Sequence, residues 1–194
     1  MRIVAGLDTE TTGLAFADGH RFVEVGVISC DLDTGKLLSS YVQRIDPQRP
    51  IDPKAQAVHG ISYAELAGQP LWEQVAPQFH AQLARAQLLV AHNGVGFDIP
   101  FITHEFARVG LPMPNVPVVD TMLEGRWATP FGKLPNLNEL CFATGTPYDP
   151  NLAHGAAYDI AVMLSAFFKA RRKGFFRAPA VDDVPVPVHY GVAA

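Results

Sequence analysis

Apolar residues along the chain switch between two periods. From Ile3 to Leu7 they run almost unbroken, as in a buried strand. Phe22 to Cys30 reads Phe-Val-Glu-Val-Gly-Val-Ile-Ser-Cys, with Val23, Val25 and Val27 on one face. A third strand, Leu37 to Ile45, carries Tyr41 and Val42 near its middle, and Asp33-Thr34-Gly35-Lys36 supplies the turn before it. The first quarter of the chain therefore reads as a strand–turn–strand meander. After an Asp- and Pro-rich loop from Asp46 to Pro53 the period becomes helical. Trp72, Val75, Phe79 and Leu83 predict a helix over 71–83.

Leu88 to Ala91 predicts a buried strand running into His92-Asn93. Asp98 is expected to cap a second helix, with Pro100 in its first turn, Phe101, Ile102, Phe106 and Val109 along it, and Gly110 at its end. Val116 to Val119 predicts a last strand ending at Asp120. Leu137, Leu140 and Cys141 mark a short helix that Gly145 stops. A final helix from about Gly155 to Lys173 turns Ile160, Met163, Leu164, Phe167 and Phe168 inward. Lys169, Arg171, Arg172 and Lys173 crowd its end, where cations complement the helix dipole. From Ala178 the period gives way to a Pro/Val tail, expected to be extended. The element order predicts a mixed α/β sheet in one domain, residues 1–177, followed by a tail, residues 178–194.

Composition narrows the picture. A chain of 194 residues and 21.0 kDa suits a single domain, and 48% hydrophobic against 18% charged residues excludes wholesale disorder. The net charge of -4 excludes a protein that coats nucleic acid by bulk positive charge. A polyanion would have to be met at a local site or through bound cations. Cys30 and Cys141 are far apart and form no CxxC unit, which suits a reducing compartment. The first apolar run is too short for a signal peptide, and no stretch approaches the ~18 apolar residues of a membrane span. A cytoplasmic protein without membrane partners is expected.

Three segments carry candidate chemistry. In Asp8-Thr9-Glu10-Thr11-Thr12-Gly13, strand alternation points both carboxylates to one face, where they repel unless a cation lies between them. Hard oxygen ligands at that spacing suit Mg²⁺ or Mn²⁺. In His92-Asn93-Gly94-Val95-Gly96-Phe97-Asp98 a carboxylate stands at a helix start, where capping alone would explain it. In His154-Gly155-Ala156-Ala157-Tyr158-Asp159 a loop histidine precedes a carboxylate in the first turns of a helix. Singly each is weak. Together they give four carboxylates and one histidine at strand ends and helix starts, a concentration of negative charge that stability does not explain and two divalent ions would. A two-metal site activates a water and stabilises the leaving oxygen at phosphorus, and a histidine nearby can take the proton.

The ordered set Asp8, Glu10, Asp98, His154 and Asp159 resembles the DEDDh 3′→5′ exonucleases of the DnaQ-like group. The resemblance spans roughly residues 3–170. It includes Asp8 to Gly13, Val58-His59-Gly60-Ile61, His92-Asn93 with Phe97-Asp98, Asn136-Leu137-Asn138-Glu139-Leu140-Cys141, and His154 to Asp159. Within that group the proofreading subunits of bacterial replicative polymerases and exonuclease X look most similar. The fold it implies is a ribonuclease H-like mixed sheet flanked by helices. A histidine rather than a tyrosine before the last aspartate separates the chain from the DEDDy branch.

The resemblance also implies roles. Asp8, Glu10 and Asp159 would hold a first divalent ion, Asp8 and Asp98 a second, and His154 would be the general base. Thr11, Thr12 and Gly13 match the segment whose backbone contacts the terminal nucleotide. His59 and Phe97 match positions near its base and sugar, where a loop histidine and a core aromatic are the alternatives. Asn93 either supports the phosphate side or braces its loop. Ile160 stands where the family often has Ala, a change expected to face packing. The implied reaction is hydrolysis of single-stranded 3′ ends to nucleoside 5′-monophosphates, in proofreading or repair, with DNA favoured over RNA and a DNA polymerase as a candidate partner. Two rivals stay open: an exoribonuclease that trims RNA, and a non-catalytic, polymerase-associated nucleic-acid-binding subunit.

Overall fold

In the computed structural model, which describes residues 1–183, five strands form one sheet in the order β3-β2-β1-β4-β5. Strands β1 (Ile3–Thr11), β2 (Phe22–Asp31) and β3 (Leu37–Arg44) pair antiparallel as the expected meander. Strands β4 (Leu88–Ala91) and β5 (Val118–Asp120) add in parallel on the other side of β1. The mixed sheet of the sequence reading is therefore present. Strand β1 runs further than its apolar stretch, because its ladder with β2 continues to Thr11 opposite Phe22. Asp8 and Glu10 thus lie inside a strand, held by main-chain pairing, rather than beyond its end.

Two helices occupy the stretch after the Asp- and Pro-rich loop, for which the sequence predicts no element. Helix α1 (Pro53–His59) is capped by Asp52, which accepts from the Lys54 N–H at 2.8 Å, has Pro53 at its first position, and closes on Gly60 at φ 71°. Helix α2 (Tyr63–Leu66) opens on a Ser62–Glu65 capping box. Helices α3 (Trp72–Ala84) and α4 (Asp98–Arg108) cover one face of the sheet, burying Phe79, Leu83, Phe101, Ile102 and Phe106 against Ala5, Leu7, Val25 and Leu89. Helices α5 (Leu137–Thr144) and α6 (Ala156–Arg171) cover the other, where Ile160, Met163, Leu164 and Phe167 meet Val4, Leu88 and Val90.

The predicted boundary at residue 177 falls short of where packing ends. A single-turn helix, α7 (Pro179–Asp182), follows, and Ala178 and Val181 are buried in the α6 cluster. Arg171 at the end of α6 pairs with Asp182, and the Arg2 guanidinium donates to the Val181 carbonyl at 2.9 Å. The spacing of Ala178 and Val181 was too short a pattern to stand out among prolines. Residues 184–194, the Val-Pro-Val-Pro-Val part of the expected extended tail included, lie outside the described residues. Among the described residues no helix is long and apolar enough to cross a membrane.

Candidate active site

Strand alternation distributes β1 between the two layers. Val4, Gly6, Asp8 and Glu10 face α6, while Ala5, Leu7 and Thr9 face α3 and α4. On the α6 face, oxygens of Asp8, Glu10 and Asp159 lie within 4.8 Å of one another. Two glycines make this approach possible. A Cβ on Gly26, which pairs with Asp8 across the β1–β2 ladder, would sit 2.7 Å from Ile160 Cδ1 and 2.9 Å from Ala156 Cβ. A Cβ on Gly6 would sit 2.8 Å from both Ile160 Cγ2 and Leu164 Cγ. Ile160 is fully buried in this seat, so it faces packing, as expected.

Glu24, opposite Glu10 on β2, fixes the start of α6. One carboxylate oxygen accepts from the Ala156 N–H at 3.1 Å and the other from Arg44 Nε at 3.3 Å. His154 precedes α6 with a positive φ of 65°, and its main-chain N–H donates to Asp159 Oδ2 at 3.0 Å. Its side chain is exposed at the mouth of the site.

Asp98 departs from the expected capping role. It is the first residue of α4, Phe97 holds the cap position without a side-chain cap bond, and the Asp98 carboxylate is buried, accepting from the Thr9 hydroxyl at 2.7 Å. The turn ahead of it closes on main-chain bonds instead, from Gly96 and Phe97 N–H to the Asn93 carbonyl and from Ile99 N–H to the Gly94 carbonyl. A buried carboxylate needs a donor more than the helix needs a cap.

Burial pushes Asp8 well above the usual carboxylate range, and the charges of Asp98, Glu10, Asp159 and Glu24 push it further. Glu10 is raised to about 8, by burial first and then by Asp159, Glu24 and Asp98. Burial also raises Asp98, to about 7, against the Thr9 hydrogen bond. It raises Asp159 against the bond from the His154 N–H. Among the described residues no lysine or arginine pairs with any of the four. Converging, uncompensated oxygen donors of this kind fit a hard divalent cation.

The cluster lies between two clefts. One, of about 530 Å³, is lined by Asp8, His154 and Asp159 with Asn93, His92 and Tyr148. The other, of about 310 Å³, is lined by Glu10, Thr11, Gly13, His59, Phe97 and Lys54. His59 is buried at the end of α1, and its Nδ1 accepts from the Ile61 N–H at 3.0 Å, so a neutral ring carries its proton on Nε2. Burial lowers the pKa of His59, which favours that neutral form. Phe97 packs on Phe101 at 5.8 Å, as a core aromatic does, and also lines the cleft. Asn93, at φ 63°, likewise lines the larger cleft and closes its own turn.

Thr12 is not brought to either cleft. It is fully buried, its hydroxyl meets His20 Nδ1 at 3.0 Å, its N–H donates to the Arg21 carbonyl, and its own carbonyl accepts from Asp52. Two further residues escaped the sequence reading. Glu24 carried a signal, a lone charge in the Val23–Val27 apolar run. Asp120 accepts from four main-chain N–H groups, those of Asn93, Val95, Met122 and Leu123, and so ties the Asn93 turn to β5. A carboxylate at a strand end gives no such indication.

The exonuclease family model RNase_T matches residues 5–167. The DNA polymerase III subunit epsilon of Pasteurella multocida is 34% identical over 170 residues, covering 83% of this chain and 65% of that protein. That of Escherichia coli is 32% identical over 172 residues, covering 83% and 68%. The chain thus spans about two thirds of the length of these relatives. Exonuclease X, solved in complex with 5′ overhanging duplex DNA, aligns with a TM-score of 0.65 and 26% identity over 89% of this chain and 93% of its own. E. coli exonuclease I, solved with a dT13 oligonucleotide, shares the fold at a TM-score of 0.74 and 19% identity, over 90% of this chain and 42% of its own. The matched stretch takes in every strand of the sheet and both helices that bring carboxylates to β1, and on that footing the chain belongs to the exonuclease family.

Proposed function

We propose that this chain is a 3′→5′ exonuclease that hydrolyses single-stranded DNA ends to nucleoside 5′-monophosphates. The observation that carries the reading is the convergence of Asp8, Glu10 and Asp159, without a cationic partner among the described residues, with His154 lining the larger cleft beside Asp8 and Asp159. Asp8, Glu10 and Asp159 would hold one divalent ion, and Asp98 with Asp8 would serve a second, the pair being Mg²⁺ or Mn²⁺. Bound there, two such ions polarise the phosphoryl oxygens and supply a strong nucleophile at neutral pH. His154 takes the proton of the attacking water on an imidazole nitrogen. Its N–H bond to Asp159 keeps that ring beside the carboxylates while leaving it free to turn. Glu24 holds the first turn of α6, and Asp159 with it, at its distance from β1.

The smaller cleft receives the terminal nucleotide, with Phe97 against the base or sugar, the His59 Nε2–H as a donor, and the Thr11 and Gly13 backbone along its edge. Thr12 acts only by bracing that edge. One domain reaching Asp182 carries the activity. The likeness to epsilon subunits supports a DNA polymerase as partner and a cytoplasmic setting.

Digestion of end-labelled DNA and RNA strands of one sequence, in Mg²⁺, Mn²⁺ or EDTA, tests the reading. A 5′-labelled DNA should give a ladder, a 3′-labelled one should release labelled mononucleotide at once, and a 3′-phosphate should slow both. EDTA should stop them. Cutting of circular single-stranded DNA as fast as linear would make the protein an endonuclease, and a strict need for the 2′-OH would move it to RNA.

A further inference from the structure

The segment between β5 and α5 leaves the larger cleft at Met122 and returns to it at Asn136. Two aromatic residues in it behave in opposite ways. Trp127 stacks on Phe175 with ring centroids 4.1 Å apart and packs edge-on against Phe176, anchoring the segment to the α6 layer. Phe131 is 108% exposed, so its ring rests on nothing. Its backbone is left-handed, φ 59° and ψ 16°, and Gly132 follows at φ 70°. A bulky side chain with positive φ is a true outlier, and glycine would be the comfortable residue there. Phe131 therefore gains neither burial nor backbone ease from its position.

The surrounding loop nevertheless holds it in place. The Arg126 guanidinium donates to the Gly132 carbonyl at 2.8 Å, and the Thr129 hydroxyl donates to the Lys133 carbonyl. Four residues separate Phe131 from Asn136, so the Phe131 Cα lies within roughly 18 Å of that of Asn136 at the cleft wall even with the chain fully extended. Arg126 and Lys133 flank it and are both exposed. Lys133 pairs with Glu139 at 2.7 Å, whereas the Arg126 guanidinium has no carboxylate partner among the described residues and puts positive charge beside the ring in a chain of net charge -4. An exposed aromatic flanked by basic residues, beside a cleft for a strand end, is the arrangement on which single-stranded bases stack.

We propose that Phe131 is a stacking platform for a base upstream of the terminal nucleotide, a positioning residue for the incoming single strand. The inference rests on the exonuclease reading for the direction of the strand. Its chemistry is sequence-tolerant, since every base offers a π-face.

The test separates the two claims. Binding of a fluorescein-labelled oligothymidylate with phosphorothioate linkages, which resist cutting, is measured in Mg²⁺, so that the carboxylate cluster is neutralised while the strand stays whole. Phe131→Ala and Phe131→Gly should each raise Kd about 5- to 150-fold, and Phe131→Trp should stay near wild type. Phe131→Gly relieves the left-handed backbone, so its thermal melt should be no lower than wild type, which guards against misfolding. 2-Aminopurine moved along the strand should be quenched at one upstream position by wild type and not by Phe131→Ala, a change that a merely structural role would not produce. Hydrolysis of the p-nitrophenyl ester of thymidine 5′-monophosphate, which has no upstream base, should be equal in wild type and Phe131→Ala. Unchanged oligonucleotide binding in both variants overturns the proposal, as does slowed ester hydrolysis. If wild type cleaves neither DNA nor ester, the exonuclease reading falls, and the binding and quenching arms still decide the role of Phe131.

Discussion

Substituting Gly26 by Ala should separate the two halves of the carboxylate cluster without touching a carboxylate. The added methyl would meet Ile160 Cδ1 at 2.7 Å and Ala156 Cβ at 2.9 Å, against the ~3.5–4.0 Å at which carbon atoms rest. Ile160 can turn its terminal methyl away, but Ala156 has no freedom of its own. The first turn of α6 must therefore lift by roughly 0.5–1 Å, carrying Asp159 with it. Overpacking of this kind costs about 1–3 kcal/mol, and the lower backbone entropy of unfolded alanine returns up to about 1. A net loss of about 1–2 kcal/mol lowers Tm by roughly 2–8 °C in a chain of this size. Activity should fall further than stability, on the order of 10²-fold for a displacement near 1 Å at the reacting centre. Calorimetry with and without Mn²⁺, together with steady-state digestion of a labelled strand, reads both effects. Adding Ile160→Val should restore part of the melt but little of the rate, because the Ala156 contact remains. A Gly26→Ala protein with wild-type turnover and wild-type stabilisation by Mn²⁺ would refute the idea that glycine sets the approach of α6.

Other predictions concern the carboxylates and their supports. Glu10 near 8 and Asp98 near 7 bind their protons more tightly folded than unfolded, so the metal-free protein should lose stability as pH rises from about 4 towards 8. Melts in EDTA across that range should show the slope, and millimolar Mn²⁺ should flatten it and raise Tm. Asp8→Ala should abolish hydrolysis and the response to Mn²⁺ while melting no lower than wild type in EDTA, since it removes a buried charge from a repelling group. His154→Ala should lose roughly 10²–10⁴-fold in rate with metal binding nearly unchanged, whereas Asp159→Ala should lose both; isothermal titration with Mn²⁺ beside single-turnover kinetics distinguishes them. Asp120→Ala, which strands four main-chain donors, should cost about 2–4 kcal/mol in chemical denaturation and weaken activity through the Asn93 turn.

The sequence carried the parts of this site that depend on local geometry. Alternation alone placed Asp8 and Glu10 on one side of β1, and the helical period placed Asp159 one turn into α6. Parts that depend on contact between distant segments were not legible. Asp98 read as a cap because nothing in its neighbourhood announces Thr9, 89 residues earlier in the chain. Gly6 and Gly26 read as unremarkable strand glycines until α6 lay across them. Helices α1 and α2 were different, because Asp52-Pro53, Gly60 and Ser62–Glu65 are local start and stop signals, obscured by the prolines around them.

Glu24 also decides how this protein can meet a phosphate. A helix N-terminus ordinarily offers its positive pole and free amides to such a group. At α6 that pole faces a carboxylate from β2, and the Ala156 amide is already committed to it. The nearby His154 amide is committed too, to Asp159. The helix that reaches deepest into the site therefore has no electrostatic welcome for a polyanion. Every oxygen around the scissile bond would approach negative potential. Occupancy by cations thus becomes a condition for substrate entry as well as for reaction, and a protein stripped of them should repel the strand end it is shaped to hold.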